Sequence, residues 1–159
     1  MGCETTTKIW VKSVIPNTNR EVFLPFENMN MPENEWDNPW YFIDFFREKI
    51  TIEKIRECDG LMELEEKHCR EYLTRLLEAR DILTKNGYNH RTSVIHKNQP
   101  HFDEMMEKLK ELLYIDEMER DYISSYSIFT QCNYFLWLIT NMDAFKKDEV
   151  EFYVTMEIS

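Results

Sequence analysis

The segment from Val150 to Ile158 constrains this fold more than any other. Val150, Phe152, Val154, Met156 and Ile158 alternate with Glu151, Tyr153, Thr155 and Glu157. A period of two puts the apolar set on one face of a half-buried strand. A strand leaves its backbone donors and acceptors open until another strand pairs with them. The evident partner lies near the other end of the sequence. Lys8 to Ile15 reads as a strand, with Ile9, Val11 and Ile15 on one side and Trp10, Lys12 and Val14 on the other. Pro16-Asn17-Thr18-Asn19 is turn chemistry, and Glu21 to Phe26 is a second short strand. Pro25 has no amide to donate to a ladder, so it marks an early end or a sheet edge.

The stretch between hairpin and terminal strand is mostly helical in pattern. A polar connector, Glu27 to Asp37, leads to a helix start at Asp37-Asn38-Pro39, where a capping side chain precedes a first-turn proline. That helix continues through Trp40-Tyr41-Phe42-Ile43-Asp44-Phe45-Phe46 towards Ile50, and Thr51 restarts a short helix to Cys58. About Leu61 to Lys85 is the clearest helix. Met62, Leu64, Cys69, Tyr72, Leu73, Leu76, Ala79 and Leu83 form its apolar stripe, and Asn86-Gly87 supplies the stop. Tyr88 to Pro100 reads as a loop. His101 to Tyr114 and Asp116 to Phe145 are again helical, with Tyr134 to Ile139 apolar on all sides and hence central. The expected architecture is one α+β domain over residues 1–159. Its small antiparallel sheet, the N-terminal hairpin plus the C-terminal strand, packs against about four helices.

Three glycines in 159 residues, Gly2, Gly60 and Gly87, exclude whole classes of function. A phosphate-cradling loop needs clustered glycines where backbone amides meet the ligand, so neither a Walker loop nor a dinucleotide fingerprint fits. No serine sits in a Gly-x-Ser-x-Gly elbow. The four cysteines, at 3, 58, 69 and 132, form no Cys-x-x-Cys pair, and no apolar leader follows Met1. Reduced thiols in a cytoplasmic protein are expected, with Cys69 and Cys132 as small core residues. Cys58 lies between Glu57 and Asp59, which raise its thiol pKa and blunt it as a nucleophile.

Charge is the unusual total: thirty acids against nineteen bases give −11 at neutral pH. Such a chain repels nucleic acid and anionic lipid and attracts basic proteins. The negative charge is local. Glu27 to Asp44 carries five acids (Glu27, Glu33, Glu35, Asp37 and Asp44) and no base. There the acids interleave with Trp36, Trp40 and Tyr41, and rings surrounded by charge suit a binding hot spot. Asp103 to Asp121 carries eight acids, including Glu104, Glu107, Glu111 and Glu117, against Lys108, Lys110 and Arg120.

The leading functional expectation is an acidic protein that binds and blocks a basic partner, a nuclease or another nucleic-acid-binding protein. It would use Glu33, Glu35, Trp36, Asp37, Trp40, Tyr41 and Asp44 with Glu104, Glu107, Glu111 and Glu117, and needs no cofactor or metal. In general character such a chain resembles bacterial immunity proteins, antitoxins and phage-encoded anti-CRISPR inhibitors, although no residue motif carries that likeness. A second expectation is a small metal-dependent or acid–base enzyme centred on His90, His96 and His101, with Asp103 beside them. Glu65 and His68 offer a single Glu-x-x-His step, where a di-iron bundle uses two. A third is a lipid-anchored adaptor, because Met1-Gly2-Cys3-Glu4-Thr5-Thr6 fits a myristoylation pattern and Cys3 offers a second acyl site.

Overall fold

The structure, a computed structural model, describes residues 4–37, 40–49, 62–92, 94–115 and 122–158. Its sheet is built on β1 (Glu4–Val14), whose eleven residues are long enough to hold three partners. On one edge β1 pairs antiparallel with β7 (Phe152–Ile158), from Thr5 opposite Ile158 to Val11 opposite Phe152. On its other edge it pairs with β2 (Glu21–Pro25) and β3 (Glu35–Asp37) in succession. The strand β4 (Met62–Leu64) adds to the far side of β7. Hairpin and terminal strand therefore meet as their patterns require. The hairpin turn places Asn17 at φ 64°, a conformation Asn tolerates, and closes with the Thr18 amide on the Ile15 carbonyl.

The helices α1 (Trp40–Lys49), α2 (Glu66–Lys85), α3 (Phe102–Leu112) and α4 (Ser125–Lys147) share one hydrophobic core with the inner face of this sheet. A ring cluster seals their interior. Phe42, Phe45 and Phe46 of α1, Tyr72 of α2 and Phe135 of α4 pack with centroids 5.0–6.1 Å apart, mostly edge to face. One polar hub lies inside it. The Tyr72 hydroxyl donates to Gln131 Oε1 at 2.5 Å, and Gln131 Nε2 donates to Tyr41 Oη and Ser127 Oγ, each at 3.1 Å. Gln131 is fully buried, and its partners meet the rule that an interior amide must be hydrogen-bonded. Helix α4 touches both layers: Trp137 and Phe145 meet Phe26 beside the sheet, while Gln131 and Phe135 meet α2.

Several short elements depart from the sequence reading. Helix α2 begins at Glu66 rather than near Leu61, because Met62 and Leu64 join the free edge of β7 as a strand. The polar connector contains β3, held by the Asn34 amide side chain on the Thr7 carbonyl at 2.6 Å. The loop after Gly87 contains β5 (Ile95–His96), which pairs with β6 (Tyr122–Ile123) inside the stretch read as helix from Asp116. Nor is Tyr134 to Ile139 enclosed on all sides, since Leu136 is 39% exposed. It falls on the solvent line of α4, with Asn133 and Thr140 three and four residues away. The end of α2 does follow its sequence, with Gly87 at φ 86° after Asn86. The cap at Asn38-Pro39 and the Thr51–Cys58 helix lie outside the described residues. Among the described residues no helix is long and apolar enough to cross a membrane.

Candidate protein-binding surface

The first acidic stretch is fixed by its neighbours on β1 and α4. Residues Glu4 to Thr6 hold β3 in register, which turns Trp36 inward and Glu35 outward. Trp36 is only 4% exposed, packs against Phe42 and Tyr134, and donates its indole N–H to Thr130 Oγ1 at 3.0 Å. Tyr41 is buried in the Gln131 hub. These two rings therefore serve the core, as does Phe42, and of the four aromatics in the stretch Trp40 presents surface, 39% exposed. Glu33 is also exposed and accepts the Tyr126 hydroxyl at 2.7 Å. That bond, and then the charge of Glu33, raise the Tyr126 phenol pKa. Glu33, Trp36 and Tyr41 thus all meet the first two turns of α4, at Tyr126, Thr130 and Ser127. The surface assembled there is Glu33 with Tyr126, while Glu35 points outward from β3 and Trp40 is exposed at the start of α1. Asp44 is half-buried on α1, and Asp37 is placed by its register opposite Glu4.

The second stretch lies in the helical layer. Glu104, Glu107 and Glu111 follow at helical spacing on the solvent side of α3, opposite buried Phe102, Met105, Met106 and Leu109. Glu107 pairs with Lys110 at 3.5 Å. A cleft of about 230 Å³ opens between Glu104, His101, Lys108 and Asn86. Glu117 lies outside the described residues, so the patch is defined here by three of its four expected acids.

His90, His96 and His101 are all exposed, and His101 stands in left-handed backbone (φ 62°) at the start of α3. Among the described residues no three His, Cys, Asp or Glu side chains gather as a metal ion requires. Cys69 and Cys132 are buried core residues, as expected. Burial raises both thiol pKa values, that of Cys132 to about 11, so neither forms the thiolate a nucleophile needs. Gly2, Cys3 and Cys58 lie outside the described residues.

No protein-family model, curated protein or solved structure matches this chain. Its own surface must carry the functional reading.

One part of that surface escaped the sequence reading. Odd-numbered β1 residues from Thr5 to Ile9 are buried under the helices, so even-numbered ones face the opposite way. Register then brings Trp10 beside Tyr153, and Phe23 beside Lys12, on the outer face. Trp10 and Tyr153 stack with centroids 6.0 Å apart, and Phe23 meets Tyr153 at 4.9 Å. The signal was present as outward-phase aromatics on three strands. It became legible only once pairing joined them.

Proposed function

We propose that this chain binds a basic protein and blocks it. The partner is a nuclease or another nucleic-acid-binding protein, whose phosphate-binding cations the carboxylates of this chain occupy. The observation that carries the reading is the exposed Glu33 carboxylate held against the exposed Tyr126 ring at the head of α4. It places exposed carboxylate beside exposed ring on a firmly held frame. A rigid ring contributes contact area at little entropic cost, and surrounding acids steer a basic partner and suppress acidic ones. The three acids spaced along α3 extend the same charge to the helical layer. A net charge of −11 makes direct binding to nucleic acid unfavourable, which leaves protein as the macromolecular partner.

The test is capture of partners at graded salt, by the wild-type chain and by Glu33→Lys/Glu35→Lys/Asp37→Lys. The expected result is a basic partner recovered at low salt and released as salt rises. The charge-reversed chain should lose it, and purified wild-type chain added back should inhibit the partner's binding or cleavage of nucleic acid. Capture of acidic or neutral partners, indifferent to both salt and charge reversal, contradicts the proposal.

A further inference from the structure

We propose that the solvent face of α4 pairs two copies of this chain, antiparallel, about a two-fold axis at Asn133. This inference goes beyond the binding of a basic protein and does not depend on it. Three observations lead to it.

First, α4 keeps charge off a face that meets water. No charged residue occurs from Ser125 through Met142, about five helical turns, in a chain of which 31% is charged. Core packing accounts for the inner side only. On the outer side Tyr126, Asn133, Leu136 and Thr140 are exposed and Phe129 is half-buried. The other long helix is built differently, since α2 meets water with Lys67, Glu78, Asp81 and Lys85. A helix without a charged side belongs inside an assembly rather than against solvent.

Second, the exposed residues are spaced to meet another helix. Tyr126, Phe129, Asn133, Leu136 and Thr140 follow at alternate steps of three and four, the seam of a helix pair. The order also reads alike from either end. A second copy laid antiparallel sets Asn133 against its own copy, Phe129 against Leu136, and Tyr126 against Thr140. Each apolar residue then meets an apolar one. The Asn133 side-chain amide has no hydrogen-bond partner among the described residues, and it can both donate to and accept from its copy. A surface that its own copy completes suits a closed two-fold pair.

Third, charge selects both the occupant and its direction. Two chains at −11 repel one another, and the α4 seam lets them meet without setting carboxylate against carboxylate. A strongly charged partner would find no counter-charge on this stripe. A parallel pair would bring both Glu33 carboxylates, each bound to its own Tyr126, to one end of the seam. The antiparallel pair separates the two Tyr126 positions by the run from 126 to 140, about 21 Å at the helical rise. That is beyond the Debye length of ~8–10 Å at ordinary ionic strength, so the two carboxylates hardly interact. A seam this short buries less than the ~1,200–2,000 Å² of a stable complex, and exchange between monomer and dimer is expected at roughly 10–100 µM.

Sedimentation equilibrium of the full chain, from about 1 µM to about 300 µM and at low and high salt, tests the pairing. Monomer should give way to dimer as concentration rises, and salt should strengthen the dimer by screening two like-charged chains. Salt weakens the capture of a basic partner, so this inference and that reading fail separately. Asn133→Asp and Asn133→Lys should each weaken the dimer roughly tenfold, and an equimolar mixture of the two should restore it. Thr140→Lys places a cation beside Tyr126 and Glu33 of the other copy and should strengthen the dimer roughly threefold. Both positions are exposed, circular dichroism verifies the fold of each variant, and the wild-type series decides without any variant. A chain that stays monomeric at every concentration and both salts overturns the pairing and leaves the stripe to a different protein. A dimer indifferent to Asn133→Asp overturns α4 as its site, and weakening by Thr140→Lys overturns the antiparallel order.

Discussion

The two faces of β1 are built in opposite senses. Towards the helices the strand presents Thr5, Thr7 and Ile9, all buried; away from them it presents Lys8, Trp10, Lys12 and Val14. The larger residues are outside. The inner face needs only small side chains because Trp36 and Tyr134 fill the space above it, edge to face at 5.6 Å. On the outer face Trp10 and Phe23 lie against Tyr153, and Lys12 pairs with Glu21 and Glu151. Size and hydrophobicity thus do not decide which side of a strand is core. What decides is whether another layer supplies the complementary volume.

Several measurements break or sharpen that contrast, and the largest effect belongs to the inner side. Phe135→Ala opens a cavity among four rings and should cost about 3–5 kcal/mol in denaturant unfolding, whereas Phe23→Ala on the outer face should cost less than about 1 kcal/mol. Equal costs for the two would erase the distinction between the faces.

Gln131→Leu keeps the volume of the buried hub but strips the Tyr72, Tyr41 and Ser127 hydroxyls of their amide partner. It should cost about 1–3 kcal/mol, and a neutral result would show that the hub is not held by its hydrogen bonds. Thr5, Thr7 and Tyr134 bring three buried hydroxyls without a hydrogen bond of good geometry to the same interior. Burial raises the Tyr134 phenol pKa, and the Thr7 hydroxyl only partly offsets it. Replacing a hydroxyl that pairs poorly by a methyl removes a desolvation cost, so Thr5→Val/Thr7→Val should stabilise by about 1 kcal/mol. A loss of stability would mean those hydroxyls are better paired than their geometry indicates.

The smallest effect lies at the α2–α4 seam, where Glu66 accepts from Arg70 at 2.8 Å and Lys146 at 3.1 Å, and Asp143 also takes Arg70. Burial alone would raise the Glu66 pKa, but the bonds from Arg70 and Lys146 outweigh it and hold it below the ordinary glutamate value of 4.5. A depressed carboxyl pKa stabilises the folded state above the unfolded value, and that stabilisation is lost as pH falls through the folded one. Unfolding followed from pH 7 downwards should therefore show Glu66→Gln losing its deficit against wild type below about pH 4. A deficit that does not change with pH would rule out this linkage.

How much of this was legible depended on element length. The hairpin and β7 were readable because alternation runs over five or more residues and Asn17 marks the turn. Strands of two or three residues span barely one period. Met62-Glu63-Leu64 fits the head of α2 as well as a strand, and only the free edge of β7 settles it as β4. The same limit applies to β3, β5 and β6. For the candidate site, the acids were visible by composition, but Trp36, Trp40 and Tyr41 look alike in sequence. Their separation into two core rings and one surface ring follows from Thr130 and Gln131, some ninety residues away. Trp10 and Tyr153 are farther apart still, and register alone joins them.

The central claim is the proposal that exposed carboxylates of this chain bind a basic protein. Charge reversal at Glu33 and Glu35 tests it most directly when unfolding free energy and affinity for the captured basic partner are measured on the same protein. The expected result is stability within about 1 kcal/mol of wild type, with binding at low salt lost. Unchanged affinity in a stably folded variant would contradict it.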